Sequence, residues 1–119
     1  MGINHTSDIS AYIDEVSQIR PLSKEEESDL WRQAKSPDET QSEIAKRRLL
    51  ESRLHLVLSI AERYSTCGIP MLELIQEGNV GLMYALDRFE PSPERDFSSL
   101  AAVLIERAIV SAIGQEDSK

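Results

Sequence analysis

Apolar residues recur at intervals of three and four along nearly the whole chain, and no segment alternates strictly over the length of a strand. The pattern predicts an all-α fold, a compact bundle of about five helices. Helix one is expected over residues 7–18, capped by Ser7, with Ile9, Tyr12, Ile13 and Val16 as its apolar stripe. Pro21 interrupts the chain, and Ser23 with Glu26 forms the capping-box pattern S-x-x-E that opens helix two. Glu25, Glu26 and Glu27 fall in its first turn, where the helix dipole favours acids; Leu30 and Trp31 are its expected buried residues. Ser36-Pro37-Asp38 ends it.

Helix three is expected to be long, over residues 39–66, with Ile44, Leu49, Leu50, Leu54, Val57, Leu58, Ala61 and Tyr64 as its stripe. Its middle, residues 54–61, is apolar nearly all round, which marks it as the central helix. Gly68 is expected as its C-cap and Pro70 in the first turn of the next helix. Helix four, residues 71–89, contains Gly78 and Gly81. Each costs about 1 kcal/mol relative to alanine, which close packing or a kink would explain. After the loop at Pro91-Ser92-Pro93, Ser98 or Ser99 is expected to cap helix five, which runs to residue 113, and the polar tail 114–119 is expected to fray.

The length of 119 residues suits one domain. Thirteen basic against 21 acidic residues give a net charge of −8. Such a chain is repelled by DNA at long range and attracted to a basic protein surface. Cys67 is the only cysteine, so no internal disulfide forms. No apolar run approaches the roughly eighteen residues that span a membrane, and the N-terminus does not read as a signal peptide. A cytoplasmic protein without membrane contact is expected.

Catalytic chemistry finds little to work with. His5 and His55 are the only histidines, and HExxH, CxxC, GxxxxGKS and GxSxG are all absent. Glu73 and Glu77 share a helix face, but the Glu-x-x-His pairs of a di-metal site are missing. No catalytic residue, metal or cofactor is expected.

Residues 72–90, LELIQEGNVGLMYALDRFE, carry a run that is specific. They resemble region 2.2 of the sigma-70 family almost residue for residue. Residues 49–64, LLESRLHLVLSIAERY, resemble region 2.1, whose pattern is L-x-x-x-N-L-R-L-V-x-x-I-A-x-x-Y. Ala11-Tyr12 and residues 22–27 resemble region 1.2, and Phe97-Ser98-Ser99-Leu100-Ala101 sits where the family has F-S-T-Y-A in region 2.3. On this resemblance the chain is one sigma-2-like domain, with residues 7–35 as region 1.2, 39–66 as region 2.1, 70–90 as region 2.2 and 97–113 as regions 2.3 and 2.4.

The resemblance implies that Glu73, Gln76, Glu77, Asn79 and Met83 dock on the basic coiled coil of the polymerase beta-prime subunit. These residues supply acceptors for arginine forks and one adaptable apolar contact. It also implies where promoter contacts would lie. There the family has Y-A-T-W-W-I-R-Q-A-I, and this chain has Leu100, Val103, Leu104 and Glu106 in place of the tyrosine, the two tryptophans and a basic residue, followed by Arg107. Ser10, Asp14, His55, Glu62, Cys67, Tyr84 and Asp96 occupy further basic positions of the pattern. The cluster Lys46-Arg47-Arg48 survives, either as a solvated face balancing Glu43 and Glu51 or as residual phosphate binding. The expected protein binds RNA polymerase core with weak or no DNA binding of its own. Two alternatives stand beside it: an ordinary divergent sigma domain, and a helical adaptor for a sigma, anti-sigma or split-sigma partner. The adaptor would use Leu100, Val103, Leu104 and Val110 as an exposed apolar face.

Overall fold

The computed structural model describes residues 5–117. Among them lie six α-helices: α1 His5–Ser17, α2 Lys24–Ala34, α3 Glu39–Glu51, α4 Leu54–Glu62, α5 Met71–Arg88 and α6 Phe97–Asp117. The all-α bundle read from the periodicity is the observed architecture. The extra helix arises because the expected helix over 39–66 is two helices. Ser52 turns its hydroxyl back onto the Leu49 carbonyl at 2.6 Å, a local bond that competes with the helical ladder. Arg53 then leaves helical geometry at φ −117°, ψ 7°, and α4 starts afresh.

Several expected ends move as well. Ser7 lies inside α1 and does not cap it. Gly68 is not a C-cap, since α4 ends at Glu62; it takes φ +96° in the connection that follows. Pro70 precedes α5, and its carbonyl accepts from Glu73 and Leu74. Asp96, not Ser98 or Ser99, caps α6. Its carboxylate accepts from the Ser99 hydroxyl at 2.8 Å and from the Ser98 and Ser99 backbone N–H groups, and these bonds hold its pKa below the ordinary value. Nothing in Gly114-Gln115 stops the helix, so α6 continues to Asp117 where fraying was expected. Residues 118 and 119 of that tail lie outside the described residues. The capping box at Ser23 and Glu26 forms as read, with both reciprocal bonds present.

The core sits where α4, α5 and α6 meet. Val57, Ile60, Ala61, Leu74, Ile75, Leu82, Ile105 and Ile109 are almost fully enclosed there. The expectation that residues 54–61 form the central helix holds. α2 joins through an aromatic cluster in which Trp31, Phe89 and Phe97 lie 5.1–5.3 Å apart between ring centroids. Ile13 and Ile44, both expected in buried stripes, are exposed instead.

α5 and α6 approach closely because of two glycines. A Cβ on Gly81 would stand 2.9 Å from the Ile105 Cα and from the Leu104 carbonyl carbon, and closer still to the Leu104 oxygen. At Gly78 it would meet side chains, Val57 at 2.8 Å and Ile109 at 3.2 Å. α6 is long and apolar enough, by length and composition, to span a membrane, although no uninterrupted apolar run within it approaches that length. Glu106 and Arg107 interrupt it, and its average stays high in spite of them. Phe97, Ala101, Ile105 and Ile109 pack into the core, and Glu106 accepts from the Tyr64 hydroxyl, so this helix serves the bundle.

Candidate functional surfaces

α5 divides cleanly into two sides. Leu74, Ile75, Gly78, Gly81, Leu82 and Ala85 face inward and are buried. Glu73, Gln76, Glu77 and Met83 face outward and are exposed, with Val80 and Tyr84 between them. Residues at spacings of three, four and seven share a helix face, so these acceptors and the thioether form one stripe. Asn79 lies at its flank, half-buried, with its Oδ1 enclosed and without a hydrogen-bond partner among the described residues. Four of the five candidate docking residues are therefore presented together, and the fifth borders them.

On α6 the positions aligned with promoter contacts separate. Val103 and Arg107 are exposed, whereas Leu100 and Leu104 are half-buried against the core and Glu106 is half-buried. Glu106 binds the Tyr64 hydroxyl and lies 3.8 Å from Arg63, tying the end of α4 to α6. The hydrogen bond to Glu106 raises the Tyr64 pKa, with burial adding to it. The outward face of α6 carries Ser99, Val103, Arg107 and Val110: one cation and no aromatic ring. The apolar face required by the adaptor alternative is reduced to Val103 and Val110. Phe97, the aromatic of the F-S motif, is 2% exposed.

Besides the half-buried Glu106, the seven further positions where the family pattern is basic and this chain is not are exposed: Ser10, Asp14, His55, Glu62, Cys67, Tyr84 and Asp96. In the surviving cluster, Arg47 lies 3.9 Å from Glu51, and Arg48 donates to the Arg20 carbonyl at 3.4 Å.

A basic cleft was not foreseen. Between α2 and the loop before α6 lies a cavity of about 910 Å³, lined by Lys24, Arg32, Lys35, Arg53 and Arg95, with Glu27 and Asp96 as its acids. Arg53 occupies its inner wall. Its Nε donates to the Ser98 Oγ at 2.8 Å, its guanidinium donates to Glu27 at 2.7 Å, and it lies over the Phe97 ring at 5.2 Å. These five cations come from three separate stretches of sequence, so no local spacing announced them. One signal was available: the region 2.1 pattern has asparagine where this chain has Arg53.

Residues 49–119 match the model of the family described as Sigma-70 region 2. The chain belongs to the sigma-70 family. It is 38% identical over 115 residues to the RNA polymerase sigma factor SigA of a Bacillus species, covering 97% of this chain and 29% of that protein. The SigA of Clostridium acetobutylicum gives the same identity and the same coverage. The chain thus spans less than a third of the length of these relatives. The sigma-70 match takes in the end of α3 and all of α4, α5 and α6, so the α5 and α6 surfaces lie within it and the α2 wall of the basic cleft does not, while the SigA alignments extend further over the chain.

Proposed function

We propose that this sigma-70 domain docks on the beta-prime coiled coil of RNA polymerase core in the bacterial cytoplasm. There it modulates transcription initiation, with promoter melting and minus-ten recognition largely lost. The observation that carries the reading is the contrast between two helices. α5 presents Glu73, Gln76, Glu77 and Met83 outward as one stripe, while the outward face of α6 carries no aromatic residue. Capture of unpaired bases relies on stacking worth about 1–3 kcal/mol per base, and Val103 and Leu104 do not provide it. The match of the chain to SigA proteins supports the polymerase partner.

The test is binding to purified core polymerase. Glu77→Lys places a cation against a basic coiled coil and should weaken binding by about 2–4 kcal/mol without unfolding an exposed position. Equal binding by the variant and the parent would end the docking model. In abortive initiation, the chain added before a housekeeping sigma should inhibit, and inhibition should weaken as that sigma is raised.

The basic cleft favours a second reading, a divergent sigma domain that still contacts promoter DNA. Lys24, Lys35 and Arg95 line it without an ion-pair partner among the described residues. Fluorescence anisotropy with single-stranded promoter DNA separates the two. Sequence-dependent binding tighter than about 10⁻⁶ M at physiological salt would establish the second reading.

A further inference from the structure

The fold draws five of the chain's thirteen basic residues, Lys24, Arg32, Lys35, Arg53 and Arg95, to one cleft of a molecule whose net charge is −8. The two acids that line it are already engaged. Glu27 accepts from Arg53 at 2.7 Å, and Asp96 accepts from the Ser98 and Ser99 N–H groups at the start of α6. Arg32 is paired with Asp29. Lys24, Lys35 and Arg95 remain, exposed and without an ion-pair partner among the described residues. At physiological salt a charge is screened beyond about 8 Å. The cations at the cleft, and not the charge of the whole chain, therefore set what enters it.

The shape of the array narrows the ligand. Lys24 opens α2 and Lys35 follows its last turn, so helix rise sets them about 16 Å apart along one wall. Arg95 comes from the loop that forms the other wall. A lone phosphate meets one end of this array, whereas a chain of phosphates meets more of it. At about 910 Å³ the cleft has the size that takes one small molecule. Leu22, Pro91 and Pro93 give it an apolar border on which a flat ring can lie. A nucleic-acid strand requires more, a basic groove that tracks its backbone. The cations do not continue in that way: the outward face of α6, next along the chain, carries only Arg107.

We propose that the cleft between α2 and the loop before α6 binds a small molecule carrying a chain of phosphates, held by Lys24, Lys35 and Arg95. This activity is separate from polymerase docking, whose residues lie on α5, so each can fail without the other. Titration calorimetry of the parent chain with inorganic triphosphate, ATP and GTP tests it. Trp31, the only tryptophan, lines the cleft, and its fluorescence supplies a second readout. Saturable binding is expected. Lys24→Gln, Lys35→Gln and Arg95→Gln should each weaken it about tenfold, the loss of one charge-assisted contact. Thermal melts confirm that these exposed substitutions leave the fold intact. Arg63→Gln removes an exposed cation at the end of α4, outside the cleft, and should leave binding unchanged. Tighter binding of a nucleotide than of inorganic triphosphate would make the ligand a nucleoside polyphosphate; equal binding would make it the phosphate chain alone. Sulfate should bind far more weakly, and equal binding of sulfate would overturn the proposal. Lack of saturation at millimolar ligand would overturn it, as would an equal loss with Arg63→Gln, which reports net charge and not the cleft. Sequence-dependent capture of single-stranded promoter DNA, abolished by Lys24→Gln and Arg95→Gln, would assign the cleft to the promoter strand and overturn the proposal as well.

Discussion

Substituting Gly81 by alanine tests the central packing of the domain, because the obstacle there is backbone. The new methyl group would lie 2.9 Å from the Ile105 Cα and the Leu104 carbonyl carbon. Neither atom moves without moving α6. The two helices must therefore separate, loosening the contacts of Leu82 and Ile105, both fully buried. Overpacking of this kind costs up to about 3 kcal/mol. Alanine returns about 1 kcal/mol of helix propensity, so the net loss should be about 2 kcal/mol. At roughly 4 °C per kcal/mol for a domain of this size, the midpoint should fall by about 8 °C in a thermal melt followed by circular dichroism. Gly78→Ala is the internal control. It gains the same propensity, but its new methyl meets the side chains of Val57, Ile109 and Ile105. Ile109 and Ile105 can yield there but the β-branched Val57 yields less readily, so the variant should lose about 1 kcal/mol, less than Gly81→Ala. A Gly81→Ala protein as stable as Gly78→Ala would refute the close approach of α5 and α6.

Three further outcomes follow from the structure. Arg53→Leu keeps the contact with Phe97 but leaves Glu27 and Ser98 unpaired; with side-chain exposures of 13% and 24% for the pair, it should cost about 2 kcal/mol in urea unfolding, below the loss for a fully buried pair. Adding Glu27→Leu to it should recover part of that loss. Ser23→Ala removes the oxygen that caps the Glu26 backbone N–H and should cost about 1 kcal/mol, read as a shifted unfolding midpoint. The Glu26 carboxyl is held down at about 2 by its bond to Arg20, so its stabilising contribution is present above the ordinary 4.5 and is lost as pH falls from there through about 2. Arg20→Gln should raise the Glu26 midpoint in an NMR titration toward 4.5; an unchanged midpoint would remove Arg20 as the cause.

Helix type and core membership were legible wherever periodicity and burial agree. The apolar run at residues 54–61 and the pairing of Trp31 with the core are of this kind. Boundaries were legible only where a cap is spelled in adjacent residues, as at Ser23 and Glu26. The break at Ser52-Arg53 was not: the Ser52 hydroxyl on the Leu49 carbonyl is a bond open to any serine within a helix, and the partners that hold Arg53 lie far along the chain. Arg53 is held by Glu27 and Ser98, 26 and 45 residues away, and no local pattern contains them. Ile44 failed for another reason: it lies one position beside the stripe that α3 buries, so a list of apolar residues places it inside and the helix rotation places it outside. Among the site residues, the α5 stripe could be read because its members are on one helix. The basic cleft could not, because its cations come from α2, the start of α4 and the loop before α6.

The region 2.2 motif carries two separate messages, and the structure divides them. Taken as a string, its glycines weaken the helix that bears them, a cost that close packing or a kink would explain. In the fold they are paid for by packing: Gly81 admits the backbone of α6, and Gly78 admits the side chains of Val57 and Ile109. Leu74, Ile75 and Leu82 belong to the same inward half. That half is required by any protein with this helix pair, whatever it binds, and therefore says nothing about polymerase. Packing places no such demand on the outward half. Glu73, Gln76, Glu77 and Met83 are exposed, so their types must be explained by something outside the domain or by nothing. Of the substituted basic positions, Ser10, Asp14, His55, Glu62, Cys67 and Tyr84 are exposed too, whereas Asp96 caps α6 and the half-buried Glu106 binds Tyr64. Against the pattern of the resemblance, the exposed α5 positions hold matching or similar types except at Tyr84, while cations and aromatic rings are missing on α6 and in the connections. The proposed docking therefore rests on those four exposed side chains and not on the length of the matching motif, and binding of the Glu77→Lys variant to core polymerase is what tests it.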